Sequence, residues 1–111
     1  MHRLTPPRHA RITLALVALS ALYWLGVWSW VRAELAAMEA AGTNPIALAM
    51  HELSLVFPAT WGWVIGAAVV HLAALGAAAW KADADARRGA LVSAALHVAF
   101  AISQGVLAPP A

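Results

Sequence analysis

Three stretches of this chain carry no Asp, Glu, Lys or Arg over about 20 residues each, the length a helix needs to cross the hydrocarbon core of a bilayer. They run over residues 12–31 ("ITLALVALSALYWLGVWSWV"), 59–80 and 89–108. In hydrocarbon every backbone amide must be satisfied within its own segment, so such stretches are read as helices. Composition agrees. The 111 residues are 63% hydrophobic and 11% charged, against about 45–50% and 25% in ordinary soluble domains. The expected fold is an all-α integral membrane domain of three transmembrane helices, up-down-up. The first run is longer than the apolar segment of a signal peptide, about 7–15 residues, so it is expected to be retained.

Charge placement gives an orientation. Arg3, Arg8 and Arg11 precede the first run, and Lys81, Arg87 and Arg88 lie between the second and third. The long connection after the first run holds Arg32 alone, against Glu34, Glu39 and Glu52. By the positive-inside rule the N-terminus and short turn are cytoplasmic, and the long loop and C-terminus lie outside a bacterial inner membrane. Beside apolar spans, the net charge of +2 is a topological signal and does not point to nucleic acid. Trp24, Trp28, Trp30, Phe57, Trp61 and Trp63 gather near the outer boundary, as an aromatic belt would. A quinone or lipid pocket between Trp24, Trp28 and Trp61 is the sharper alternative.

The long connection has its own pattern. "RAELAAMEAAG" extends the first helix until Gly42 ends it. "NPIALAMHELSLVFP" then reads as a short interfacial helix over about 45–56, with Asn44 as N-cap and Pro45 in its first position. Its apolar residues recur at helical spacing, and it is too short to span. Met50 and His51 in this segment are soft ligands that could take copper, although packing and solvation explain them as well. In the turn, Asp85 is expected to cap the third helix, with Asp83 near Arg87.

The second run presents a small-residue stripe, Gly62, Gly66, Ala73 and Ala77, suited to close helix approach. His71 lies on the other side of that helix. In the third run Ser93, His97, Ala101 and Gln104 form one polar-and-small stripe, expected to face the bundle, while Leu91, Val92, Leu96, Val98, Phe100 and Ile102 face lipid. His71 and His97 stand about 13 residues either side of the cytoplasmic turn, so an antiparallel hairpin sets them at equal depth. This pair is the main chemical constellation of the spans. Two imidazoles can ligate a haem b, relay protons, supply part of a metal site, or only bond to neighbouring polar groups across the bundle.

Length, three helices, a cytoplasmic N-terminus and a mid-span His on the second helix resemble the small haem-anchor subunits of succinate and fumarate quinone oxidoreductases. In the succinate type a Gly follows the haem His by four residues and an Asp-Tyr pair closes the helix. Here Gly76 comes one residue late, Ala84 follows Asp83, and His97 has no counterpart. The resemblance is therefore one of architecture, and it implies a haem- or quinone-bearing anchor.

The chain shows no nucleophile–base pair and no phosphate loop, so an enzyme acting by itself is not expected. The leading expectation is a small subunit of a larger membrane complex, associated with haem b or quinone through His71 and His97. Its rivals are a cofactor-free structural or assembly subunit, and a small pore or transport protein. Lipid and other membrane subunits are the expected partners.

Overall fold

The computed structural model describes residues 5–105. Three helices follow one another: α1 (Arg8–Ala40), α2 (Pro45–Trp80) and α3 (Ala84–Ser103). Each packs on the other two, and all regular structure among the described residues is helical. α1 and α2 are long and apolar enough to cross a membrane. At 1.5 Å per residue they measure about 50 and 54 Å, whereas α3 measures about 30 Å. The first two therefore run on beyond the end of α3 as a helical hairpin.

The connections follow from local chemistry. Gly42 sits at φ +82°, and the N–H groups of Gly42 and Thr43 return to the carbonyls of Glu39 and Met38 at 3.0 and 3.1 Å. This is a Schellman motif, in which a left-handed residue lets the chain reverse and satisfy the last carbonyls. Asn44 Oδ1 then accepts from Ala47 N at 2.8 Å, and Pro45 opens α2 without wasting a donor. The same C-terminal motif closes α2, but here Ala82 adopts the left-handed conformation at φ 50°. Asp83 N bonds Ala78 O at 2.8 Å.

Two expectations are corrected. The helix predicted over 45–56 is not separate, because α2 continues through Pro58 to Trp80. A proline removes one i to i−4 hydrogen bond, and an apolar segment satisfies the rest of its backbone groups by staying helical. The N-cap of α3 is Asp83, whose Oδ1 accepts from Ala86 N at 3.0 Å, while Asp85 lies in the first turn. The partner of Asp83 is Arg8, with Nη1 donating to Oδ1 at 2.7 Å.

That contact fixes the start of α1 against the α2–α3 turn and has a pH signature. The Arg8 hydrogen bond, followed by the Ala86 N–H, lowers the Asp83 carboxyl from 3.8 to about 2. A depressed carboxylate contributes stability that is complete above the unfolded value and is lost as pH falls through the folded one. Thermal unfolding in detergent should therefore be insensitive to this pair above pH 4 and weaken between pH 4 and 2. Asp83→Asn keeps a capping acceptor and should lose that acid-dependent component. Asp83→Ala should lower the midpoint further, since the cap goes too.

The interior is small. Val31, Trp63, Ala78, Ala90 and Ala101 form its apolar part, and His71 and Ser93 are its buried polar residues. The large aliphatic side chains point outward: Leu14, Leu19, Leu22, Ile65, Val69 and Leu72 are all at least 58% exposed. An outward apolar surface of this extent is what a bilayer or a partner covers.

Candidate functional site

Where the three helices meet, the structure brings His71 and His97 into contact. Their ring centroids are 4.5 Å apart and the rings meet edge to face at 64°. His71 comes from α2, and its Nδ1 lies 2.7 Å from Ala67 O, one turn back on the same helix. His97 comes from α3, and its Nδ1 lies 2.7 Å from Ser93 O in the same relation. A carbonyl only accepts, so both Nδ1 atoms carry the proton. In an uncharged imidazole each Nε2 is then an acceptor.

The hydroxyls complete the pattern. Ser93, fully buried, places Oγ 2.8 Å from His71 Nε2. Ser20 of α1 places Oγ 2.6 Å from His97 Nε2. Each serine donates its proton to the imidazole, and Ser20 Oγ in turn accepts from Trp63 Nε1 at 2.9 Å. The indole of Trp63 also stacks on the His97 ring at 5.7 Å and 21°. One chain of polar groups thus ties α1, α2 and α3 together, with every donor and acceptor used. Fully satisfied networks of this kind fix a unique packing.

The chain has a polarity. It begins at an indole N–H, which can only donate, and its branches end on carbonyl oxygens, which can only accept. These bonds tie the three helices together at the level of the two imidazoles, as a clasp.

Its fit to metals and haem is specific. An imidazole whose Nδ1 donates to a carbonyl has the tautomer that a metal-ligating His uses, with Nε2 left for the metal. Each ring alone meets that condition. As a pair they are in direct contact, and a macrocycle held between them needs the rings to part and the serines to yield Nε2. Among the described residues no group of three His, Cys, Asp or Glu is placed to hold a metal ion. Met50 is 67% exposed, and His51 Nε2 faces Glu34 Oε1 at 3.7 Å, too far for a hydrogen bond.

The rest of the sequence pattern divides clearly. Ser93, His97 and Ala101 do face the bundle, while Gln104 is exposed as the C-cap of α3. The third helix's large apolar residues are exposed, from Val92 at 43% to Leu91 at 52%. Trp63, expected in the outer aromatic belt, is instead interior, 6% exposed, with its N–H donating to Ser20 Oγ. Ser20, an isolated hydroxyl within "ALVALSALYW", is a member of the site that helical spacing does not single out.

The glycine stripe of α2 is also not where helices of this chain meet most closely. A Cβ at Gly66 would touch nothing within 4 Å. The closest approach is at Gly89, where a Cβ would lie 2.6 Å from His9 O and 2.8 Å from Ile12 Cβ of α1. Thr13 Oγ1 adds a bond to Gly89 O at 2.9 Å.

Comparison with protein-family models, with curated proteins and with solved structures finds no match for this chain.

Proposed function

We propose that this chain is a three-span subunit of the bacterial inner membrane that works inside a larger electron-transfer assembly, beside a quinone or haem b. In this reading the N-terminus and the α2–α3 turn face the cytoplasm, and the α1–α2 hairpin and C-terminus face the periplasm. Six of the seven basic residues then lie inside, and the Arg8–Asp83 bond joins the two cytoplasmic elements.

The observation that carries the reading is the surface left over once the interior is satisfied. Gly62, Gly66, Ala73 and Ala77 form an exposed stripe on α2, while the polar groups of the clasp already have partners. Small residues pay little for close helix approach in lipid, where van der Waals contact and not hydrophobicity drives association. A second transmembrane subunit is the natural occupant of such a stripe. The closed clasp favours a second version, in which the chain is a cofactor-free assembly subunit held rigid by His71 and His97.

Isolation from native membranes in mild detergent, with mass spectrometry and a reduced-minus-oxidised spectrum, tests both. The expected result is a stoichiometric membrane partner. Soret and α bands lost in His71→Ala or His97→Ala assign a haem to those residues. A partner with bound quinone and no such bands assigns the quinone version, and a partner with neither assigns the cofactor-free one. A chain that is isolated alone overturns the subunit reading.

A further inference from the structure

At the end of the bundle where α1 and α3 begin and α2 finishes, the charged residues fall in one layer. Arg8 and Arg11 stand in the first turn of α1, Lys81 is the C-cap of α2, and Arg87 and Arg88 come early in α3. The Arg8–Asp83 bond and the close approach of Gly89 to His9 and Ile12 hold the two helix starts at one level. Asp83 and Asp85 are the carboxylates of this end among the described residues, and both act on Arg8. Asp83 bonds it at 2.7 Å, and after that bond and its charge, the charge of Asp85 also raises the Arg8 pKa.

Four cations are left over. Arg11, Lys81, Arg87 and Arg88 are exposed and have no ion-pair partner among the described residues. Arg11 and Arg87 close the first turns of their helices, where a cation meets the positive end of the helix dipole. They do not stabilise the helices they begin, so a negative group outside the protein is their natural counterpart. Trp80, one residue before Lys81, is 90% exposed, the most of any large apolar side chain among the described residues. An indole has an apolar body and one polar N–H, and spanning helices carry it at the level of the lipid headgroups. Cations beside such a ring fit a boundary that is apolar on one side and anionic on the other, which is the surface of an acidic bilayer.

We propose that Arg11, Lys81, Arg87 and Arg88 bind the headgroups of anionic phospholipids, with Trp80 seated at the same level. The binding rests on the three-span reading and is independent of any haem or quinone. It lies at the opposite end of α1 from the Gly42 turn, where Glu34, Glu39 and Glu52 outnumber Arg32.

The experiment reads which lipid touches Trp80. The full chain is reconstituted in bilayers that mix phosphatidylglycerol with phosphatidylcholine, with brominated acyl chains on one lipid and then on the other. Bromine quenches tryptophan fluorescence on contact, and the difference between the parent and Trp80→Phe isolates Trp80. Phosphatidylglycerol should be favoured beside Trp80 by roughly fivefold over its bulk share, the effect of about one cation at a charged surface. The preference should shrink toward parity in about 1 M salt, where screening acts within about 3 Å. Lys81→Gln should lower it, and Arg11→Gln, Lys81→Gln, Arg87→Gln and Arg88→Gln combined should abolish it. Lys81→Gln alone carries the test if the combined variant does not insert, and Arg32→Gln should match the parent. Equal quenching by the two lipids, or a preference undiminished by neutralisation, overturns the proposal. So does loss of the preference to inorganic phosphate at constant ionic strength, which would assign the cations to a free anion. A parent chain that does not enter the bilayer overturns this binding and the three-span reading together.

Discussion

Gly89→Leu should prevent the bundle from assembling, and Gly89→Ala should already lower its stability severely. The first atom of any side chain at this position would fall 2.6 Å from the His9 carbonyl oxygen and under 3 Å from two carbons of Ile12. The nearest obstacle is backbone, which has no rotamer to turn aside. α1 and α3 must separate, and that separation strains Thr13 to Gly89 and Arg8 to Asp83. Overpacking of tight contacts costs roughly 1–3 kcal/mol and sometimes more, against a total stability of about 5–15 kcal/mol. Gly66→Ala is the matched control. The new methyl meets nothing within 4 Å, so the gain in helix propensity should leave stability unchanged or slightly improved. Denaturant unfolding in mixed micelles compares the three. Equal losses for Gly89→Ala and Gly66→Ala would contradict the α1–α3 contact.

His97→Leu is the second large effect, because His97 is the junction of the clasp. The substitution leaves the Ser20 hydroxyl without its acceptor, removes the second, side-chain donor to the Ser93 carbonyl, and leaves Trp63 without its stacking partner. A stranded buried polar group costs about 1–3 kcal/mol. Interhelical hydrogen bonds in membranes run lower, about 0.6–2 kcal/mol, so a loss of roughly 1–3 kcal/mol is expected for the whole junction. The diagnostic is non-additivity. Ser20→Ala together with His97→Leu removes both partners and should cost less than the sum of the two single changes. Additive losses would mean that Ser20 and His97 do not interact.

How far the sequence carried depended on what each signal encodes. Spacing of three and four residues encodes direction within one helix, so Ser93, His97 and Ala101 were legible as an inward stripe. Counting residues outward from a short turn gave His71 and His97 a common depth, while their ring contact is set by the packing of α2 on α3. Identity alone does not encode radial position, and Trp63 therefore read as a belt residue although its N–H turns inward to Ser20. Small residues mark where close approach is allowed, not where a neighbour stands, so Gly62 and Gly66 drew attention that Gly89 needed. The helix expected over 45–56 does not end near Pro58, because the loss of one bond in a 36-residue helix leaves its other backbone bonds in place. Asp83 and Asp85 are both plausible caps two residues apart, and only the backbone conformation at Asp83 decides between them.

The central claim, a three-span arrangement with its basic end inside, is tested most directly by labelling single cysteines with a membrane-impermeant maleimide. The chain contains no native cysteine, so each label reports one position. The account predicts that Glu39→Cys and Gln104→Cys react in intact cells, and that Asp85→Cys reacts only after the membrane is opened. Reaction of Asp85→Cys from outside, or of Asp85→Cys and Gln104→Cys from the same side, would contradict it.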